Sequence, residues 1–325
     1  MEKILNITNG DSAVAVMRSA GVPGEFLPWQ DVLHEGPVPE VSTLEELSGI
    51  RAQFLAGQGW GTPEKIRGMF RRRDAHLSRF RDYDRVILWF EHDLFDQLQL
   101  LQILAWFSLE SPGDVTLNSV WVERYLGIMK PDEMKMLIGA DRPVTEAQLK
   151  LAGRAWAAFR APVPSAWAAL LHEAASSIPF LKGAVLRLLE EYPACGNGLS
   201  RTEHQALDIL ASGPKSPVEV FKLLQKREER VFMGDAVFYA KMNNFLHAGP
   251  PLLAISPGDA PKICSDPGLE ISITETGRGV LSSRHNWLDL MAVDRWIGGV
   301  HLRGSDIWCW DKNTNKLRKR DDAQR

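Results

Sequence analysis

At 325 residues, with 45% hydrophobic and 24% charged side chains, the chain is long enough for two or three domains with their own cores and has a globular composition. Its formal net charge of −3 excludes binding to nucleic acid by overall charge alone. The three cysteines, Cys195, Cys264 and Cys309, form no C-x-x-C motif, so they give no zinc or disulfide framework and suit a reducing compartment.

The opening MEKILNITNGDS lacks the long apolar core of a signal peptide, and no apolar run approaches membrane-spanning length. A cytoplasmic location with no membrane partner is expected. Lys3 to Thr8 reads as a short strand. Asn9-Gly10 is a turn, and Asp11-Ser12 opens a helix that ends at Gly21, Pro23 and Gly24. Glu25 to Trp29 is a second strand, followed by the polar segment Gln30 to Pro37. Thr43 and Glu46 form a capping box for a helix, and Pro63 to Phe80 is a further helix carrying Arg67, Arg71, Arg72, Arg73 and Arg79.

The stretch from Arg85 to Phe107 organises the N-terminal half. Val86 to Phe90 is apolar without alternation, the pattern of a strand buried on both faces of a parallel sheet. Glu91-His92-Asp93 follows at once, and Asp93 is placed to cap the helix that begins there. Val115 to Val120 reads as another strand. Strands alternating with helices predict a small Rossmann-like three-layer α/β sandwich with a mostly parallel sheet over residues 1–140.

Helical patterns continue through a linker over 141–193, with Thr145 and Gln148 as a capping box and helices over 167–175 and 178–192. PACGNG at 193–198 breaks the chain. Capped helices then begin at Ser200 and Ser216, and a third spans Gly234 to His247. Leu252–Ile255 and Leu269–Ile273 can pair as a hairpin before a closing helix. Three helices and a hairpin predict a winged-helix-like domain over 198–311, and 312–325 reads as a frayed basic tail.

T-N-G-D-S at 8–12, W-x-D-V-L-H-E-G-P at 29–37 and E-H-D-L-F-D-Q-L-Q at 91–99 resemble the signatures of a bacterial domain-of-unknown-function family. P-V-T-x-x-Q-L at 143–149 and D-R-W-I-G-G-V-H-L at 294–302 resemble the remainder of the same proteins, so the resemblance covers nearly the whole chain. It implies an architecture and a set of co-occurring motifs, and it implies no reaction.

The chemistry lies in the polar group after each strand: Asn9, Gly10, Asp11 and Ser12; Asp31, His34 and Glu35; Glu91, His92, Asp93, Asp96 and Gln97. On parallel neighbouring strands these groups converge at one end of the sheet, where open α/β folds bind ligands. Carboxylates with histidine suit a hard divalent metal or acid–base work, and two adjacent carboxylates raise one another's pKa. Asp11, His34, Glu91, His92 and Asp93 are the candidate catalytic residues. Asn9, Gly10, Ser12, Asp31, Glu35, Asp96 and Gln97 are the candidate ligand contacts, and Asp11, Glu91, His92 and Asp93 the candidate metal ligands. His92 and Asp96 are four apart, a helical spacing usable for a metal. Taken singly, each of these residues also fits as a helix cap or turn residue.

The expected function is ligand binding or hydrolysis at this cluster. The ligand is phosphorylated or nucleotide-like and a divalent metal is the candidate cofactor, as in a metal-assisted hydrolase or phosphoryl-transfer enzyme. The alternatives are a DNA-binding regulator acting through the winged helix and a non-catalytic interaction scaffold. DNA is the less favoured partner, because the third helix carries Lys241, Asn243 and Asn244 beside Asp235 and few other cations.

Overall fold

The computed structural model describes residues 2–173, 177–258 and 260–320. It divides into two compact units, one of Met1–Val185 with Gly298–Val300 and the other of Leu186–Ile297 with His301–Arg325. The stretch 141–193, expected as a separate linker, therefore belongs to the first unit as far as Val185.

The first unit is mixed α/β. Its elements are β1 (Ile4–Thr8), α1 (Asp11–Ser19), β2 (Glu25–Pro28), β3 (Gly36–Pro37), α2 (Leu44–Gly57), α3 (Pro63–Leu77), β4 (Arg85–Phe90), α4 (Leu94–Glu110), β5 (Thr116–Trp121), α5 (Pro131–Lys135), β6 (Arg142–Pro143), α6 (Glu146–Arg160) and α7 (Ser165–Ala169). α8 (Leu181–Leu189) contains the division between the units. The helix expected over 167–175 ends in a 3₁₀ turn at Leu170–His172, and residues 174–176 lie outside the described residues.

The main sheet has the order β2-β1-β4-β5-β6, with β1, β2, β4 and β5 parallel and β6 antiparallel to β5. β1 is buried along its whole length, and β4 from Val86 to Phe90, as their unbroken apolar runs require. Side chains alternate across the sheet. Ile4, Ile87 and Trp89 join Ala13 and Met17 of α1 and Met134 of α5 in one apolar cluster. On α4, residues Leu94 to Ala105 are buried except Phe95, and the helix packs against both β4 and α6. The chain leaves β1 towards β2 on one side and later adds β4 and β5 on the other. The order thus reverses between β1 and β4, and the carboxyl ends of these two strands flank the switch point, where such sheets form a crevice.

Gly36 shows why one motif contains its glycine. Its φ of +76° disfavours other residues, and a Cβ there would run into the Phe54 ring. Gly298–Val300 returns to the first unit: Val38 N donates to Gly298 O at 2.8 Å, and Gly299 N donates to Phe159 O at 2.9 Å.

The second unit contains α9 (Arg201–Ala211), α10 (Pro217–Gln225), α11 (Asp235–Leu246), β7 (Leu253–Ser256), β8 (Glu270–Ile273), α12 (Glu275–Leu281), α13 (Trp287–Leu290), β9 (Asp294–Gly298, its last residue in the first unit), β10 (Val300–Arg303, its first residue in the first unit), β11 (Trp308–Asp311) and β12 (Lys316–Lys319). β7 and β8 form the expected antiparallel hairpin. Ser200 and Ser216 cap α9 and α10 through Glu203 N and Glu219 N. Part of the stretch expected as a frayed tail instead forms β12, paired antiparallel with β11; residues 321–325 lie outside the described residues.

An ionic cluster occupies the core of the second unit. Glu191, 1% exposed, meets Arg187 at 2.9 Å, Lys241 at 3.2 Å and Arg295 at 3.3 Å, and accepts the Thr202 hydroxyl. Burial opposes charge on Glu191, but Lys241, Arg187 and Arg295 outweigh it and hold the carboxyl well below its ordinary pKa. A depressed folded pKa adds stability that is present above the unfolded pKa and is lost as pH falls through the folded value. Glu191→Gln is expected to lower the unfolding free energy at neutral pH by about 3–5 kcal/mol in urea denaturation, the range for breaking a buried ion pair. The gap between variant and wild type should narrow in strong acid.

Candidate functional site

The turn that leaves β4 gathers three buried acids, Glu91, Asp93 and Asp96. Asp93 is the N-cap of α4, its Oδ1 accepting from Phe95 N at 2.9 Å and Asp96 N at 3.3 Å. Asp96, one turn in, folds back so that Oδ1 accepts Glu91 N at 2.8 Å. Gln97 Nε2 donates to Glu91 O at 2.6 Å, while Gln97 Oε1 is buried with no hydrogen-bond partner among the described residues. Glu91, Asp93 and Asp96 are 3%, 3% and 1% exposed, and each offers a carboxylate oxygen within 4.8 Å of the others.

The turn that leaves β1 closes on this group. Asn9 Nδ2 donates to Glu91 Oε1 at 3.0 Å and to Asp96 Oδ2 at 2.8 Å. Glu91 Oε1 also accepts Leu126 N at 2.6 Å, and Gly127 supplies a further backbone donor to this carboxylate. Gly127 leaves room for the start of α1, since a Cβ there would lie 2.9 Å from Ser12 Cβ. Gly10 is the N-cap of α1 in extended backbone, and no side chain caps this helix.

The electrostatics follow from burial. Desolvation, then the charge of Asp93, pushes Glu91 up to about 7 against the donors from Leu126, Asn9 and Gly127. Desolvation, then the charges of Asp93 and Glu91, raises Asp96 well above the ordinary carboxyl range. Three carboxylates this close and this dry favour a shared proton or a bound cation. An all-oxygen set suits a hard divalent ion.

The convergence expected of three motifs holds for two. Asp31 is fully buried and paired with Arg51 of α2 at 3.0 Å, with Arg73 4.0 Å away. Arg51 also donates to the carbonyls of Val32, Glu35 and Pro37, and Gln99 of α4 donates to Asp31 O at 2.9 Å. Asp31 is thus committed to a structural ion pair that shapes its loop, and Glu35 contributes its backbone to the same guanidinium. His34 is buried, its ring edge-on to Phe95 at 6.1 Å.

Asp11 and Ser12 are exposed at the start of α1, where Asp11 accepts Gln30 Nε2; Asp11 stands outside the carboxylate group expected to include it. His92 is also outside that group. The helix starts at Leu94, so His92 precedes it and the four-residue spacing to Asp96 does not act as a helical pair. Its ring instead lies 5.2 Å from Tyr125 and 6.1 Å from Phe180.

Arg51, Leu126 and Gly127 were not among the sequence candidates. Arg51 had a signal, since it occupies the Leu47, Arg51, Leu55 stripe of α2, where a cation on an apolar face implies a buried acid. Leu126 and Gly127 act through backbone amides and leave no side-chain trace. The chain matches no protein-family profile and no curated protein sequence.

Raised folded pKa values mean that Glu91 and Asp96 contribute stability that is fully present below their unfolded pKa and is lost as pH rises through the folded one. For Glu91 the window runs from 4.5 to about 7, worth roughly 3 kcal/mol at most. Metal-free protein should lose stability across that window in pH-dependent thermal unfolding, and Glu91→Gln should flatten the slope. An unchanged slope in the variant would assign it to other groups.

Proposed function

We propose that the first unit is a small Rossmann-like domain that binds a phosphorylated or nucleotide-like ligand through a divalent cation held by Glu91, Asp93 and Asp96. The observation that carries this reading is the group of three buried carboxylates with ligand atoms within 4.8 Å at the carboxyl end of the central strand. The neighbouring N-terminus of α1 has no side-chain cap, and such a helix end favours phosphate oxygens. A cation so held would leave positions for phosphate and water, the arrangement that metal-assisted hydrolysis and phosphoryl transfer use.

We read α9, α10, α11 and the β7–β8 hairpin as winged-helix-like, and as a packing module before a DNA reader. Lys241 is 5% exposed and paired with Glu191, and Asn243 is bound to the backbone of Ile263 and Tyr239. Two of the three side chains a DNA-reading third helix would use are thereby engaged inside the unit. The motifs that carry the resemblance to a domain-of-unknown-function family lie in these places: T-N-G-D-S and E-H-D-L-F-D-Q-L-Q supply Asn9, Glu91, Asp93 and Asp96, and W-x-D-V-L-H-E-G-P supplies the loop that Arg51 binds.

Differential thermal unfolding with Mg²⁺, Mn²⁺ or Ca²⁺ against EDTA tests the cation. A native-state ligand at a hundred times its Kd stabilises by about 2.7 kcal/mol. The shift should grow as pH rises past 7, because the cation displaces protons from Glu91 and Asp96. Asp93→Asn keeps a capping oxygen for α4 but removes a charge, and should abolish the shift while leaving the fold intact. No stabilisation by any of the three ions above pH 7 would overturn the assignment.

A further inference from the structure

The first unit carries a second concavity, a cleft of about 730 Å³ bordered by the start of α2, by α3, by the later turns of α4 and by α6. Its volume falls in the range of small-molecule sites. None of its lining residues belongs to the carboxylate group.

The lining contains two buried donors, Gln102 Nε2 and Arg160 Nε, with no hydrogen-bond partner among the described residues. Gln102 of α4 is 3% exposed; its Oε1 accepts Trp29 Nε1 at 2.8 Å, and its Nε2 has no hydrogen-bond partner among the described residues. Arg160, half-buried at the end of α6, places its guanidinium 5.5 Å from the Trp156 ring and reaches Val41 O at 3.4 Å, yet its Nε is also buried without a partner. Buried donors are normally paired, and each exception asks for a missing acceptor.

The charge on the walls points the same way. Arg67 and Arg71 lie four apart on α3, so both present to one side of the helix, and both are exposed. The acids of the lining are Glu45, Asp74 and Glu110. Asp74 is held by Arg73 at 2.8 Å and by Ser48 at 2.6 Å, and Glu110 faces Arg81 at 3.9 Å. The lining then has Glu45, in the first turn of α2, against the charges of Arg67, Arg71 and Arg160, of which Arg160 also lies near the charge of Glu40. Trp106, half-buried on α4, adds an indole to the wall.

We propose that this cleft binds an organic anion bearing a flat aromatic ring. The anionic group lies against Arg67, Arg71 and Arg160, the ring packs on Trp106, and a ligand acceptor takes the free hydrogens of Gln102. Guanidinium groups recognise phosphate and carboxylate alike by paired N–H donors, and indoles stack on flat rings. This gives a role to the arginine-rich helix, which the carboxylate site does not use.

Calorimetric titration of the full chain in EDTA, which silences the cation site, tests the proposal. The ligands are adenosine 5′-monophosphate, adenosine, inorganic phosphate and 2-naphthoate. Adenosine monophosphate binding at least tenfold tighter than adenosine or phosphate supports the proposal with phosphate as the anion. Binding of 2-naphthoate alone supports it with carboxylate. In either case R67A/R71A, both at exposed positions, should weaken binding at least tenfold, R71E should weaken it further than R71A, and Asp93→Asn should leave it unchanged. Failure of all four ligands to bind at millimolar concentration, binding undiminished in R67A/R71A, or binding lost in Asp93→Asn would overturn it.

Discussion

Asn9 gives its side-chain amide hydrogens to two carboxylates at once, Glu91 and Asp96. This single residue joins the turn after β1 to the turn after β4, the two turns that flank the reversal of strand order. Glu91 then takes the Leu126 amide, which brings the segment after β5 into the same network. Three separate chain segments meet on two acidic groups that burial alone would neutralise. The geometry of the crevice therefore depends on a cluster that burial makes electrostatically unfavourable and that amide donors hold together.

α4 serves as the common frame for this network and for the neighbouring loop. It is buried far more completely than a surface helix, yet it carries Asp96, Gln97, Gln99 and Gln102 in its buried set. Gln97 fixes the β4 turn, Gln99 fixes Asp31 and Gln102 fixes Trp29, so one helix sets the position of two loops. Arg51 does the complementary work from α2, binding three carbonyls and one carboxylate of the segment after β2. A polar stripe on a helix of the interior is thus a row of fasteners. The other halves of those amides, Gln97 Oε1, Gln99 Oε1 and Gln102 Nε2, are buried with no hydrogen-bond partner among the described residues.

The parts of this architecture legible in the sequence are those written in local pattern. Apolar runs gave β1, β2, β4 and β5 to within a residue or two, and Thr43, Asp93, Thr145, Ser200 and Ser216 cap the helices their spacing indicated. The carboxylates Glu91, Asp93 and Asp96 stood in one contiguous motif. Relations across the chain were not legible. Asp31 looks like a ligand contact until Arg51 is known to face it, and His92 looks like the partner of Asp96 until the helix start at Leu94 turns it aside. β9 to β12 were missed because each is defined by its partner strand rather than by periodicity.

The first unit includes three residues from near the far end of the chain. Val38 and Phe159 bond to Gly298 and Gly299, and a Cβ at Gly299 would collide with the Arg160 carbonyl, so the short segment fits closely. During synthesis, residues 1–185 can assemble their sheet long before this segment leaves the ribosome. They cannot complete the surroundings of Val38 and Phe159. The first unit waits for more than a hundred further residues, including most of the second unit, before its last backbone hydrogen bonds can close. A chain cut between the units would carry the carboxylate site but leave Val38 N and Phe159 O without the partners that complete their surroundings.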